Sequence, residues 1–418
     1  MTRAWRLLVF ATLFLLLLSL LARSGLLLAA ALPYLVLCLM PLFTGLPAVR
    51  LKVKRTMETE QMTEAGECVA RMHVTNEGDS CPDLLIMEPL PAGLEAKGEC
   101  FFRGALPAGG AVEREYAIQG SRGFYHLSGA VVRSSDLLGF RMGEQFIPLE
   151  GALAVWPDVE PLGRIAITPR RTHAFVGDVR SRESGAGLEF FGTRPYVSGD
   201  PPRHMNWKAG ARWDSLIANL FQQDRVAEVA IVLDGRVCAD VRGPSGSLFE
   251  HTVRATASLA SRFLDRGNSV ALLVYGSFLS WIAPGYGKRQ RVRILNALAR
   301  AELGDHVAFE HLENLPARVL PLHAQLVLVS PLLDRDVVPI RHLCAMGYNL
   351  LVVSPDWVSF EESLLPRDGY RDAAARVARL QRDACIAWLR RVGVRVIRWD
   401  VAMPLGNAFQ RPRGPISQ

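Results

Sequence analysis

"VAEVAIVLDGRVC", Val226 to Cys238, decides the fold. An apolar run that stops at Asp234 and is followed by glycine reads as a strand buried on both faces. Beyond it the chain alternates between helical and strand patterns. Leu248 to Arg266 has helical spacing, with Val253, Ala257, Ala260 and Leu264 on one side. "SVALLVYG" (269–276) is a second strand and "FLSWIAP" (278–284) a third, close enough to form an antiparallel hairpin. Arg289 to Glu302 is helical, "AQLVLVS" (324–330) a fourth strand and Val337 to Met346 a short helix. "NLLVVS" (349–354), a long helix from Arg371 to Arg391 and "VRVIRW" (394–399) complete the series. Apolar strands alternating with helices predict a doubly wound α/β domain over residues 225–418.

In such sheets a site lies beyond the carboxyl ends of the strands. The candidates are Asp234 after the first strand, Ser330 and Asp334 after the fourth, and Ser354 and Asp356 after the fifth. On the last long helix, Arg376, Arg379, Arg382 and Arg390 read as a solvated face opposite Val377, Leu380, Ala384 and Trp388.

Upstream the pattern is different. Residues 48–160 read as a small all-β sandwich. "CVARMHVTN" (68–76) alternates, with Ala70, Met72 and Val74 on one face and Arg71, His73 and Thr75 on the other. Turn signals such as "NEGDS", "PAGG" and "DLLG" separate short runs. Residues 161–224 read as a linker.

The first 47 residues hold two uncharged apolar runs, about 5–22 and 26–46, joined by Arg23, Ser24 and Gly25. At 1.5 Å per residue each spans roughly 27 Å or slightly more, close to a hydrocarbon core. Arg3 and Arg6 precede the pair; Arg50, Lys52, Lys54 and Arg55 come after it. That bias predicts two membrane helices in the cell (inner) membrane, with both ends and the soluble part in the cytoplasm. A cleaved leader fits less well, because no small-x-small site directly follows the first run.

The chain has 418 residues, half of them hydrophobic, with 21% charged and a net charge of +7. This composition excludes a disordered chain and predicts two or three domains. The basic balance suits an anionic membrane surface; no nucleic-acid partner is expected. The seven cysteines have irregular spacing and no C-x-x-C, the pattern of free thiols rather than a disulfide framework. "APGYGKRQR" lacks phosphate-loop spacing, and "GAGLEFFG" fails the dinucleotide fingerprint at Phe190. Neither a nucleophile elbow nor a zinc-protease motif is present. His306, His311, His323 and His342 lack ligand spacing.

One stretch carries more. "GTRPYVSGDPPRHMNWKAGAR", Gly192 to Arg212, joins a Gly-Asp-Pro-Pro turn to a Trp-Lys pair. It resembles the signature of the domain of unknown function 58 family through Arg194, Tyr196, Gly199, Asp200, Arg203, Trp207, Lys208, Ala211 and Arg212. Pro195 and Asn206 stand where the family tends to carry Glu and Asp. "SRGFYHLSGAVVRSSDLLGF" (121–140) is similar to a second family stretch through Arg122, Gly123, Tyr125, Leu127, Arg133, Asp136 and Gly139. The resemblance implies a von Willebrand factor type A-like domain on a membrane hairpin and a β-domain. It also implies association with a MoxR-type AAA+ ATPase, and with a transglutaminase-like membrane protein.

Type A domains often hold a divalent cation through Asp-x-Ser-x-Ser, and here Arg236 and Cys238 occupy the serine positions behind Asp234. The expectation is no cation, no cofactor and no catalytic residue, with Arg236 paired to Asp234 or Asp334 in the metal's place. Within the signature, Trp207 is expected as a buried anchor, with Arg194, Asp200 and Arg212 forming a network that seats the linker. The other reading is a partner-docking surface. The function expected is a non-catalytic membrane-anchored scaffold working with the ATPase. The alternatives are a metal-dependent ligand-binding module and a hydrolase using Asp334 and Asp356.

Overall fold

The structure is a computed structural model. It describes residues 2–43, 49–136, 138–163, 165, 172–213, 215–243, 246–276, 279–304, 312–314, 316, 320–321 and 324–410, without the side chains of 42–43, 172–191 and 221–226. The chain divides into two compact units, Met1–Trp156 and Pro157–Gln418.

The first unit opens with helices α1 (Arg3–Leu21) and α2 (Gly25–Phe43). Arg23 turns the chain between them with φ of 47°. The helices meet where Trp5 Nε1 donates to the Cys38 carbonyl at 3.2 Å, and Thr12 Oγ1 lies 3.3 Å from Cys38 Sγ. Their outward side chains, such as Leu7, Phe10, Phe14 and Leu17, are exposed and apolar. Arg3–Ala22 has the length and composition to cross a membrane; the second apolar stretch, Gly25–Pro41, is shorter and carries Pro33 and Pro41. The second span was expected to reach residue 46, but α2 stops at Phe43 and residues 44–46 lie outside the described ones.

Strands β1 (Leu51–Met57), β2 (Gln61–Thr63), β3 (Cys68–Asn76), β4 (Cys81–Met87), β5 (Leu94–Lys97), β6 (Phe101–Leu106), β7 (Ala111–Gly120), β8 (Gly123–His126), β9 (Gly129–Ser135), β10 (Met142–Pro148) and β11 (Ala152–Trp156) come next. Two four-stranded antiparallel sheets, β1-β3-β7-β5 and β10-β9-β4-β6, share one core. Ala70, Met72 and Val74 point into it, as their alternation predicts. The core also encloses Glu88, which takes a hydrogen bond from the Tyr116 hydroxyl and an ion pair from Arg55.

The stretch 161–224, expected as a linker, contains β12 (Thr172–Pro195), which pairs antiparallel with the first part of β13 (Ile217–Asp234). Between them lies helix α3 (Trp207–Trp213). A long two-stranded ribbon therefore replaces the irregular connection. Its register shifts, between Ala174 and Gly192, interrupt the alternation that would have marked a strand in the sequence.

Beyond Ala227, β13 becomes the first parallel strand of the sheet. A ribbon of β14 (Arg242–Gly243) and β15 (Gly246–Ser247) leads to helix α4 (Leu248–Asp265). Then come β16 (Ser269–Tyr275), β17 (Ser280–Gly285) and α5 (Gly287–Ala299). They precede β18 (Gln325–Val329), α6 (Val337–Ala345) and β19 (Asn349–Pro355). Last are α7 (Trp357–Leu364), α8 (Gly369–Arg391), β20 (Arg395–Trp399) and α9 (Leu405–Gln410).

The sheet order is β17-β16-β13-β18-β19-β20, all parallel except β17, which is antiparallel on β16 as its short connection predicted. Register sets Leu273, Val232, Leu328, Val352 and Val396 in one row across five strands. Ile340, Leu343, Ile386 and Leu389 pack on that row from α6 and α8. Strand order reverses at β13, with β16 on one side and β18 on the other, so the ends of β13 and β18 flank the crevice of the switch point.

The face assignment of the last long helix is corrected. Arg382 is buried, 7% exposed, whereas Val377 and Leu380 are 57% and 66% exposed. The Arg382 guanidinium donates to the carbonyls of Ser354 and Pro355 at 3.2 and 3.0 Å and pairs with Asp356 at 3.2 Å. The end of β19 needed donors more than α8 needed another apolar contact.

Candidate functional site

Asp234 ends β13, and the backbone after it is tightly held. Gly235 N donates to the Tyr275 carbonyl at 2.6 Å, and Gly304 N to the Gly235 carbonyl at 2.9 Å. A Cβ at Gly276 would lie 2.3 Å from the Gly235 oxygen, so only glycine permits this approach. The turn throws Arg236 back over the crevice. Its Nε and Nη2 donate to the two oxygens of Asp234 at 2.8 and 2.7 Å. Its Nη1 and Nη2 donate to the two oxygens of Asp336 at 2.9 and 2.8 Å.

Arg236 is 1% exposed, and Asp234, Asp336 and Ser330 are similarly enclosed. Ser330 Oγ donates to Asp234 Oδ2 at 2.7 Å, and Leu333 N to Asp336 Oδ2 at 2.9 Å. Burial acts to lower the Arg236 pKa, but hydrogen bonds and charge from Asp234 and Asp336 outweigh it and hold the group above its ordinary value. Burial pushes the neighbouring Tyr275 phenol up to about 12. Two bidentate carboxylate contacts fit the planar fork of arginine.

This donor set does not fit a divalent cation. The oxygens of both carboxylates already face one guanidinium, and Ser330 and Leu333 N add further donors. Among the described residues no group of three His, Cys, Asp or Glu side chains has metal-holding geometry.

The expected partner Asp334 is instead exposed, and Asp336, two residues on, takes its place. Asp336 stands immediately before α6, a position whose helix boundary identifies it as the inward residue of "DRD". Cys238 is exposed and receives a hydrogen bond from Arg335 Nη2 at 2.7 Å. Asp240 accepts from Ser247 Oγ and Phe249 N at 2.6 and 2.9 Å, which fixes the start of α4. Asp356 caps α7, its side chain accepting from Ser359 N. Its other oxygen accepts from Ser359 Oγ at 2.9 Å. His306, His311 and His323 lie outside the described residues.

The Gly192–Arg212 stretch is a second candidate. Gly199 takes φ of 108° in the turn. Arg194 Nη2 donates to Asp200 Oδ1 at 2.7 Å, and Val197 N to Asp200 Oδ2 at 3.1 Å. Asn206 Oδ1 accepts from Ala209 N at 2.9 Å and its Nδ2 donates to Asn219 at 2.8 Å, so Asn206 both starts α3 and ties it to β13. Two expectations fail here. Trp207 is no buried anchor: it is 68% exposed, and Trp213 76%. Arg212 is exposed rather than part of the Arg194–Asp200 pair, as are Arg203 and Lys208; Tyr196 is half-buried. The short helix is held by Asn206 and so leaves its indoles to solvent. A shallow groove of about 370 Å³ lies beside Trp207, between Gly210 and Ile217.

The family described as "Protein of unknown function DUF58" has a model that matches residues 192–375. Over that segment the chain belongs to this family. The match begins at the Arg194 turn and runs through the Arg236 crevice to the start of α8. No curated protein matches the chain. Among solved structures, the cupredoxin domain of amoB from Nitrosocaldus yellowstonii is similar at 14% identity, over 30% of this chain and 99% of that one, with a TM-score of 0.19. Proximal thread matrix protein 1 from the mussel byssus is similar at 17% identity, over 31% and 35%, with a TM-score of 0.22. A protein of unknown function from Porphyromonas gingivalis W83 is similar at 16% identity, over 35% and 72%, with a TM-score of 0.19. Likenesses this slight carry no argument.

Proposed function

We propose that the chain is a non-catalytic adaptor, anchored in the inner membrane by the α1–α2 hairpin, that presents a type A-like domain to a cytoplasmic partner. The resemblance implies that the partner is a MoxR-type AAA+ ATPase. The exposed indoles of Trp207 and Trp213, inside the family segment, carry this reading. Tryptophan and arginine dominate the binding energy of protein interfaces, and here Arg203, Lys208 and Arg212 accompany the two rings. The sheet order and the place of Asp234 support a type A-like architecture. The enclosed Arg236 replaces a bridging cation, so the contact is made by side chains directly.

Co-purification of the full-length chain with the ATPase tests this. Trp207→Ala with Trp213→Ala is expected to abolish capture while shifting stability by no more than about 0.5 kcal/mol per site, the usual range for exposed positions. Undiminished capture by a folded double variant would move the docking surface elsewhere.

A further inference from the structure

Helix α8 is apolar on two sides. One side is buried through Ala375, Cys385, Ile386 and Leu389, with Arg382 among them. The other side is open to solvent. Tyr370, Val377 and Leu380 are 90%, 57% and 66% exposed, and Ala373, Ala384 and Ala387 are exposed with them. These positions advance by three and four residues in turn, the spacing of a coiled-coil seam. On a helix of 3.6 residues per turn the two stripes lie on opposite sides. The exposed seam runs for about 26 Å, and Arg391, at the next position of the repeat, ends it. Single exposed apolar side chains need no account, but a continuous seam of them marks a contact surface.

The flanks of the seam name what covers it. Arg376 and Asp383 border it on one side, one heptad apart, and the uncharged Gln381 and Trp388 border the other. Arg376 is exposed and, among the described residues, forms no ion pair. Asp383 Oδ1 pairs with Arg398 at 2.7 Å, and its Oδ2 remains as an acceptor.

A second copy of α8 laid antiparallel, with the two-fold axis between Ala378 and Arg379, fills the seam. Val377 then meets Leu380 of the other copy, Ala373 meets Ala384, and Tyr370 meets Ala387. The alanines let the backbones approach, and the large tyrosine faces a small residue. The same register sets Arg376 within about 3 Å, measured along the axis, of the second copy's Asp383. Two-fold symmetry repeats that pair on the other half of the seam. In a parallel pair neither charge meets its opposite, and Arg391 would stand beside its own copy at a core position.

We infer that α8 is a self-association surface, on which two copies of the chain pair antiparallel in a register fixed by Arg376 and Asp383. The surface depends neither on the Trp207 reading nor on the ATPase.

The test is sedimentation equilibrium of the full-length chain in detergent micelles over a concentration series. The contact is small for a protein interface, so a micromolar dimer is expected. Val377→Glu with Leu380→Glu should leave a monomer with an unchanged melting curve, because both side chains are exposed. Arg376→Asp should set carboxylate against carboxylate and weaken the dimer about tenfold. Asp383→Arg should do the same with guanidinium against guanidinium. Both substitutions in one chain should restore the dimer, because the exchanged charges are complementary again in the antiparallel register. A parent still monomeric at about 100 μM would overturn the proposal. So would a dimer indifferent to Val377→Glu with Leu380→Glu, which the α1–α2 hairpin would then hold. A double exchange that binds no better than either single one would also overturn it, since the register would be wrong.

Discussion

Arg236 decides what kind of site the crevice is. A buried guanidinium between two carboxylates gains its stability from pairing, and removing one member leaves the others uncompensated. Arg236→Ala is therefore expected to cost about 3–5 kcal/mol by denaturant unfolding. Arg236→Lys should recover only part of that, since an ammonium cannot face two carboxylates bidentately. Manganese should leave the melting temperature of the parent unchanged. A saturable rise in the parent would mean that a cation displaces or joins the guanidinium, and the adaptor would need one. Part of this site was legible: "DGR" in place of Asp-x-Ser named Asp234 and Arg236, and strand-end logic named Ser330. Asp336 was not, because choosing between the two aspartates of "DRD" requires knowing where α6 begins. Trp207 was misread for a related reason. Size and a neighbouring rigid turn suggested burial, but Asn206 holds α3 in place without the ring. The Arg194–Asp200 pair of that turn has a defined pH signature. The Arg194 hydrogen bond, joined by one from Val197 N, holds the Asp200 carboxyl below its usual 3.8. A depressed folded value means that the contribution is full above 3.8 and is lost as pH falls through the folded value. An NMR titration should find Asp200 titrating below 3.8 in the parent and moving up in Arg194→Ala. The pair is open to solvent, so added salt should narrow the difference.

Helices and strands of the parallel sheet were legible because their two periodicities differ and each is sustained. Val229 to Leu233, Val270 to Val274 and Leu326 to Val329 are continuous apolar runs, and α4 presents a regular buried stripe between the first two. The β12–β13 ribbon was not legible, since its bulges break the two-residue repeat. Helix α8 was found but turned the wrong way. Counting arginines as outward ignored the carbonyls at the end of β19, which a five-donor guanidinium satisfies. The buried stripe is Ala375, Arg382, Cys385, Ile386 and Leu389. Arg382→Ala is thus expected to destabilise by about 1–3 kcal/mol, the cost of leaving buried acceptors unmet. Arg379→Ala, which removes a half-exposed pair with Glu362, should cost no more than about 1 kcal/mol. Thermal or denaturant melts of the two variants check the ranking, and a reversed order would return Arg382 to the solvated face.

At the scale of the whole molecule, the anchoring helices and the soluble units make one joint expectation. The apolar surface of α1 and α2 is exposed on nearly every side, which suits lipid as the solvent. The cationic residues cluster before the hairpin at Arg3 and Arg6 and after it at Arg50, Lys52, Lys54 and Arg55, against Arg23 alone in the turn. Positive charge is retained on the cytoplasmic side, and on the proposed adaptor reading a pair of spanning helices would return the chain to the side it left. Every residue after 50 should then face the cytoplasm. The molecule carries its own probe for this, because Cys238 is exposed on the second unit whereas Cys38, Cys68, Cys81 and Cys385 are buried. Burial also pushes the Cys385 thiol up to about 11, so it is protonated at neutral pH as well as enclosed. A membrane-impermeant maleimide applied at neutral pH should leave Cys238 unlabelled in intact cells and label it rapidly in inside-out vesicles. Cys238→Ser should remove most of that vesicle signal, with Cys100 and Cys344, which are half-buried, supplying the remainder. Labelling of Cys238 in intact cells would place the Arg236 crevice and the exposed tryptophans outside the cytoplasm. The cytoplasmic ATPase would then be out of reach, and the adaptor reading would fall with the topology.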